Sequence, residues 1–162
     1  LANDVSTNIN EINQGNNGGN AHQSVNVNND KHVANIDTNN GWNSWNSVWD
    51  YGNGYMATRI LSKKTCIVAQ MNRDVMPDIT VLPQVAKGKK GRPPKELHYT
   101  VSKTKLTDLT PYGKSVEAMC RGIPTYLATE MHGANFFYFS QSCFRADILF
   151  ILGIQFCGEV VY

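Results

Sequence analysis

The sequence predicts an α+β domain, in which an antiparallel sheet packs with two helices. Its first 22 residues are rich in Asn and Gly and predict a disordered tail. Several short segments between residues 23 and 101 have the alternating or β-branched pattern of strands. Residues 136–161 are rich in β-branched and aromatic residues and predict a β-rich C-terminal segment. The length of 162 residues fits one domain with a tail.

The predicted tail has little apolar surface to bury. The stretch from Gly15 to Gly19 contains only Gly and Asn, and Asn side chains compete for backbone hydrogen bonds. Burial therefore cannot offset the entropy lost on ordering, and we predict disorder over residues 1–22. The chain opens Leu1-Ala2 without Met, which favours a remnant of a cleaved secretory signal over an arbitrary start.

Four segments predict strands. In residues 23–38, Val25 and Val27 alternate with polar residues and are followed by an Asn-Asp turn, which predicts a β-hairpin. Residues 55–61 and 65–69 predict two strands joined around Lys63 and Lys64. Residues 99–101 predict one more short strand.

Two segments predict helices. Pro77 and Asp78 begin the first one, although Pro83 interrupts it unless it lies in the first turn. The second begins at Thr110-Pro111 and runs through Cys120, before Gly122 and Pro124.

A tryptophan-rich stretch separates the hairpin from the middle of the chain. Trp42, Trp45 and Trp49 have helical spacing, but the Gly, Asn and Ser between them favour an irregular turn equally. Three exposed rings could bind a sugar by stacking; anchoring the edge of a core is the favoured interpretation. Asp50 is interpreted as a turn residue before Gly52, with a partly buried carboxyl of raised pKa as the alternative.

No catalytic, cofactor or metal-binding motif occurs in the sequence. The nucleophile elbow, the H-E-x-x-H zinc motif, the phosphate-binding loop and the dinucleotide fingerprint are all missing. The four histidines are scattered, and no C-x-x-C pair occurs. We therefore predict a protein that is not an enzyme and has no catalytic residue, cofactor or metal. The longest apolar run, residues 148–154, is far below the roughly 18–20 residues that span a bilayer.

A basic segment at residues 87–95 contains no acid, and its Gly and Pro residues predict a loop. It could bind a polyanionic or protein partner, or it could be a solvated linker. Without an aromatic residue for base stacking, it does not favour nucleic acid, and neither does a net charge of +2. The candidate partner-binding cations are Lys87, Lys89, Lys90, Arg92 and Lys95.

The four cysteines favour disulfides in a secreted protein, with four buried thiols as the alternative. They are Cys66, Cys120, Cys143 and Cys157. Four cysteines allow three connectivities, and the residues alone do not choose among them.

Four strings of the sequence together resemble the gastrokines, which contain a BRICHOS domain. The strings are GWNSWNSVWDYGNG (41–54), KKTCIV (63–68), MCRGIPTY (119–126) and FCG (156–158). They are long and specific, and the resemblance extends from about residue 23 to the end of the chain. It is weakest over residues 80–95, where this chain is shorter and more basic, and over residues 132–150.

The resemblance implies a BRICHOS domain at residues 39–131, followed by a C-terminal β segment at 132–162. It also implies a mixed β-sheet flanked by two helices. The positions that BRICHOS domains share map to Asp50 and to a Cys66–Cys120 disulfide, which leaves Cys143–Cys157 as a second disulfide.

The resemblance further implies a function without catalysis. BRICHOS domains are linked to chaperoning of β-prone polypeptide segments and to suppression of amyloid formation. Gastrokines are secreted by the gastric mucosa and linked to epithelial protection, growth and repair. The expected partners are therefore β-prone segments or amyloid-forming peptides. The alternative is a signalling ligand that binds an epithelial receptor or a mucin-associated protein and has no chaperone activity.

The C-terminal segment itself contains a β-prone window. Residues 148–152 are apolar, uncharged and free of Pro, which is the pattern of an aggregation-prone segment. We predict either that the domain shields this window by packing it, or that residues 144–157 form an ordinary core strand.

Overall fold

The computed structural model describes residues 6–14, 20–28, 30–39, 41, 44–76, 95–131, 143–148 and 152–158. Strands dominate these residues. The strands are β1 Ser6–Gln14, β2 Asn20–Asn28, β3 Val33–Asn39, β4 Trp45–Asp50, β5 Tyr55–Ile60, β6 Thr65–Gln70, β7 Lys95–Lys105, β8 Thr125–Glu130, β9 Cys143–Ile148 and β10 Leu152–Cys157. The helical elements are a 3-10 turn η1 at Thr110–Tyr112 and an α-helix α1 at Lys114–Cys120.

The described strands form one mixed sheet, in the order β1-β2-β3-β4-β5-β6-β8-β7-β10-β9. Strands β1 to β6 run as an antiparallel meander. β8 then pairs with β6 in parallel, and β10 pairs with β7 in parallel. A parallel pair needs a long connection between its strands, and α1 and β7 both lie between β6 and β8 in the chain. The prediction of an antiparallel sheet is therefore wrong at these two pairs, which make the sheet mixed.

The sheet curls until β9, the strand at one edge, meets β2, which is next to the strand at the other edge. Gln23 of β2 donates a hydrogen bond from Nε2 to the main-chain oxygen of Asp147 in β9, over 2.8 Å. The rings of Trp45 in β4 and Phe144 in β9 are in edge contact, with centroids 6.4 Å apart. The concave face of the sheet is thereby nearly closed on itself.

The prediction of a sheet flanked by two helices is wrong. Within the described ranges, α1 is the single α-helix, and the helix expected from Pro77 lies outside them. The physical reason is the curl, because side chains from opposite parts of one sheet pack against each other and need no covering helix. Among the described residues, α1 covers the convex face around β4–β6.

The prediction of a disordered tail is also wrong where strands β1 and β2 occupy it. β1 pairs with β2 from Ser6↔Asn28 to Gln14↔Asn20 without a register shift, and β2 pairs with β3. The prediction considered only the apolar surface that the segment could bury. Ladder hydrogen bonds to a sheet that already exists depend on tertiary context, which composition does not reveal.

The other predicted strands lie close to observed ones. Those predicted at 55–61 and 65–69 are β5 and β6, while 99–101 is part of the longer β7. β2 and β3 are antiparallel neighbours, as the hairpin predicts. The helix predicted from Thr110 is divided, because Gly113 at φ +100° separates η1 from α1.

Two apolar clusters hold the fold together, one on each face of the sheet. The concave cluster contains side chains from all described strands from β2 to β10, including Trp49 and Phe156. The convex cluster contains Val48, Val68 and Val116, the last from α1. Successive residues of a strand point to opposite faces, so β4 sends Trp49 inward and Val48 outward.

Candidate functional site

The Cys66–Cys120 disulfide lies under α1 on the convex face. It joins β6 to the last residue of the helix with 5.6 Å between the Cα atoms, and both residues are fully buried. Val68 and Val116 pack beside it in the same cluster. The disulfide therefore fixes the short helix to the sheet, which a seven-residue helix would not achieve by propensity alone.

Asp50 ends β4 on the same face, and only 3% of it is exposed. Its Oδ1 accepts a hydrogen bond from the main-chain N–H of Asn53 over 3.1 Å, and its Oδ2 accepts one from Asn53 Nδ2 over 2.6 Å. Its main-chain oxygen accepts from the N–H of Gly54, over 2.8 Å. Asp50 is thus a turn residue, as interpreted from the sequence, and its carboxylate is also buried.

Gly113, which precedes α1, packs directly on this carboxylate. A Cβ on Gly113 would lie 2.6 Å from Asn53 Nδ2 and 3.0 Å from Asp50 Oδ2. Its φ of +100° is also a conformation that favours glycine. The β4–β5 turn and the beginning of the helix therefore fit together only when position 113 has no side chain.

The described tryptophans belong to the core. Trp49 is fully buried and Trp45 nearly so, and both belong to the concave cluster. The interpretation as core residues holds for these two rings, and buried rings do not form an exposed sugar-stacking platform. Trp42 lies outside the described residues.

The C-terminal hairpin β9–β10 completes the concave core. Ile148 and Leu152, the two ends of the β-prone window, have 0% and 1% of their surface exposed. The residues between them, 149–151, lie outside the described ranges. Cys143 and Cys157 are directly opposite in register and form the second disulfide, with Cα atoms 4.0 Å apart.

β10 is joined to the sheet through β7. The two strands pair in parallel from Leu152↔Lys95 to Cys157↔Thr100. Phe156 stacks at a tilt on Tyr99 of β7, with ring centroids 5.5 Å apart, and the Tyr99 hydroxyl donates to the main-chain oxygen of Gln70 over 3.1 Å. Burial is the main cause that raises the pKa of Tyr99, with a smaller contribution from the charge of Glu130.

An ion-pair cluster crosses the hairpin on its outer side. Arg145 of β9 binds Glu96 of β7 through Nη1 and Nη2, over 2.7 and 2.8 Å, and donates from Nε to Asp147 Oδ1 over 2.8 Å. Gly153 of β10 lies between these strands, and a Cβ there would collide with Arg145 Nη2. The cluster therefore links β9 to β7 across Gly153 of the intervening strand β10.

The Arg145–Glu96 pair shifts the pKa values of both groups. The hydrogen bond from Arg145 is the largest cause that lowers the pKa of Glu96; partial burial opposes it, and the charges of Arg145 and His98 add to it. The pKa of Arg145 is raised, mainly by its hydrogen bond to Glu96. Both side chains are more than one third exposed, so solvent screens much of the attraction between them.

Most of the basic segment lies outside the described residues. These outside positions are Lys87, Lys89, Lys90 and Arg92. Lys95 is exposed and begins β7.

The described residues contain no group of three or more His, Cys, Asp or Glu side chains that could hold a metal ion. In the same part of the chain, no helix has the length and apolar character required to cross a membrane.

Three side chains that position the hairpin were not predicted from the sequence. Gln23 contacts Asp147 across a separation of 124 residues, and Arg145 contacts Glu96 across 49. Neither pair has a sequence spacing that predicts contact. The weak signal that was available is Gln23 at the first position of an alternating strand, where an apolar residue would continue the pattern of Val25 and Val27.

Comparison with known proteins gives the family. The BRICHOS domain family matches residues 41–127. Human gastrokine-1 is 53% identical over 146 residues, which cover 86% of this chain and 79% of that protein. Mouse gastrokine-1 is 51% identical over 154 residues, 92% of this chain and 84% of that protein.

Mouse gastrokine-3 is less similar, at 30% identity over 143 residues, 85% of this chain and 74% of that protein. No solved structure matches the chain. The resemblance inferred from the four sequence strings is thereby confirmed, and the chain is more similar to these gastrokine-1 proteins than to gastrokine-3. The chain belongs to the gastrokines, a family of BRICHOS-domain proteins.

Proposed function

We propose that this gastrokine is a secreted protein of the gastric mucosa that binds β-prone polypeptide segments and prevents their assembly into amyloid, and so supports epithelial protection, growth and repair. Family membership supports the proposal at the level of the domain. Secretion is supported by two disulfides in a chain without free cysteines among its described residues, since disulfides persist in oxidising compartments.

The observation that carries the binding function is the attachment of β10 to β7. β10 adds to β7 as a parallel strand and places Leu152, Ile154 and Phe156 in the concave core. An extended segment that adds to a strand gains main-chain hydrogen bonds along its length, and its alternate side chains gain apolar pockets. β7 is already paired with β8 and β10, so a β-prone segment of another protein with the same alternation would take this contact in place of β10.

The chain's own β-prone window supports the same function. Its two ends, Ile148 and Leu152, are buried in the concave core. An aggregation-prone window that is held in this way is shielded from pairing with other chains. We propose that the fold shields its own C-terminal window and binds foreign segments of similar pattern by strand addition.

Fibril-formation kinetics of an unrelated amyloid peptide test the proposal. The full-length oxidised protein, added at a substoichiometric ratio, is expected to delay fibril formation, and the fully reduced protein is expected to lose this effect. Lysozyme at equal concentration controls for non-specific crowding. Absence of a delay with the oxidised protein contradicts the proposal and favours the receptor or mucin-binding alternative.

Charge removal from the basic segment separates the two functions. The variant replaces Lys87, Lys89, Lys90, Arg92 and Lys95 by Ser. If the chaperone proposal is right, this variant delays fibrils as well as the wild type does. A loss of binding to gastric epithelial cells with the fibril delay intact would assign the segment to a receptor or mucin partner.

A further inference from the structure

An open groove lies at one end of the sheet, apart from the C-terminal hairpin. Its volume is about 430 Å³, within the range of small-ligand sites. One wall comes from the end of β5 and the β5–β6 turn, and the other from the segment between α1 and β8. The side chains that line the groove are Arg59, Ile60, Leu61 and Lys64 on one side, and Ile123 and Pro124 on the other.

The lining of the groove is mostly apolar. Leu61 has 44% of its surface exposed and is the large apolar residue that the described part of the chain leaves open to solvent. Ile123 and Pro124 face it from the opposite wall. An apolar ligand that covered Leu61 would remove this surface from water, which is favourable.

Two charged side chains line the groove, Arg59 and Lys64, and both are positive. Within the described ranges, neither Arg59 nor Lys64 forms an ion pair. Arg59 donates from Nη2 to Asn46 Oδ1 over 2.9 Å, while its buried Nε has no described hydrogen-bond partner. Two cations beside an apolar surface, with no acid among the lining residues, are complementary to an anionic group on an apolar body.

The position of the groove in the sheet argues against an extended peptide as the ligand. β5 pairs with β4 and β6, and β6 pairs with β5 and β8, so both strands at the groove have partners on either side. A peptide would find no unpaired strand edge to add to. A single-chain amphiphile needs no strand edge, because its apolar chain can contact the apolar lining and its charged head can contact the two cations.

We propose that this groove binds a single-chain anionic amphiphile of the fatty-carboxylate class. The alkyl chain lies against Leu61, Ile123 and Pro124, and the carboxylate lies between the Arg59 guanidinium and the Lys64 ammonium. This site is separate from the contact between β7 and β10, so its occupancy and the proposed chaperone activity can be tested independently.

Amide chemical shifts of the full-length protein during a titration with sodium dodecanoate, kept below its micelle concentration, provide the test. Saturable shifts are expected at the amides of Leu61, Lys64 and Gly122, which lie at the groove. Dodecyltrimethylammonium has the same chain with a positive head, and it is expected to bind more weakly.

A charge-reversal pair identifies the head-group contact. Lys64→Glu is expected to weaken dodecanoate binding about fivefold or more, because an exposed ion pair becomes a repulsion. Lys31→Glu makes the same charge change at an exposed turn residue away from the groove and is the matched control. Leu61→Ser tests the apolar contact and is expected to weaken both amphiphiles.

Three outcomes would overturn the proposal. They are shifts that appear only when micelles form, equal binding of the two amphiphiles, and a Lys64→Glu variant that binds dodecanoate as tightly as the Lys31→Glu control. None of them bears on fibril suppression, which tests the contact between β7 and β10.

Discussion

The carboxylate of Asp50 lies against the α-carbon of Gly113, 3.0 Å from the position that a Cβ would occupy. Asp50 ends β4, and Gly113 begins the helix that carries Cys120. The shared acid of the BRICHOS pattern and its shared disulfide therefore act on the same element. Asp50 holds the β4–β5 turn, against which Gly113 packs just before the helix, and Cys66–Cys120 holds the last residue of the helix.

Gly113→Ala should destabilise the fold. The new Cβ would push Asn53 away from Asp50, and Ala would have to adopt a φ of +100°. Backbone strain and the lost hydrogen bond together are expected to cost about 2–4 kcal/mol in the free energy of unfolding. Urea denaturation of the variant and of the wild type measures this difference in the free energy of unfolding.

Gly122→Ala is the matched control for this variant. Its φ is also positive, at +76°, but a Cβ there has no atom within 4 Å, so only backbone strain of about 1 kcal/mol is expected. Equal losses of stability in the two variants would show that the contact with Asp50 and Asn53 has no effect.

Gln23→Ala should loosen the closure of the sheet. Gln23 Nε2 donates to Thr38 Oγ1 over 2.7 Å and to the main-chain oxygen of Asp147 over 2.8 Å, and Gln23 is almost fully buried. Loss of these bonds is expected to cost about 1–3 kcal/mol, measured by urea denaturation. Hydrogen exchange should become faster in β9.

Asn26→Ala provides the comparison on the same strand. Asn26 is partly exposed on the opposite face, so its loss is expected to change stability by less than about 0.5 kcal/mol. A Gln23→Ala variant as stable as Asn26→Ala would contradict a structural role for the contact between β2 and β9.

The Arg145–Glu96 pair should make stability depend on pH in the acid range. The folded state lowers the pKa of Glu96 below its ordinary value of 4.5, mainly through the hydrogen bond from Arg145. The stabilisation is therefore fully present above pH 4.5 and is lost as the pH falls through the lowered pKa. Because both partners are partly exposed, its size is expected to be below about 1 kcal/mol.

Urea denaturation of Glu96→Gln against the wild type, over a series of pH values, checks this sign. The wild type should be the more stable protein near neutral pH, and the difference should shrink as the solution becomes acid. Glu117→Gln in α1 is a control that changes the same charge away from Arg145. A difference that grows in acid would contradict the assignment.

Removing either disulfide should destabilise the protein, and Cys66–Cys120 should matter more. In the chain-entropy treatment, its 54-residue separation corresponds to about 4 kcal/mol and the 14-residue separation of Cys143–Cys157 to about 3 kcal/mol. The double Ala variants of each pair, compared by urea denaturation, measure both costs. Near-equal stability of the wild type and the Cys66→Ala/Cys120→Ala protein would contradict the role given to this disulfide.

Local patterns in the sequence were enough to predict several strands and to identify the family. The strands β5 and β6 were predicted from β-branched residues on either side of Lys63 and Lys64, because propensity and pattern act over a few residues. The family was identified from long strings around Asp50, Cys66 and Cys120.

The closure of the sheet, in contrast, depends on contacts between residues that are far apart in the chain. The parallel pairing of β10 with β7 joins residues more than 50 positions apart, and no spacing in the sequence predicts it. The curl that brings Gln23 to Asp147 lets opposite parts of the sheet pack on each other, and pairing with β2 orders β1 despite its composition. Such contacts depend on the summed twist and pairing of many strands, which is a property of the whole sheet and of no single segment.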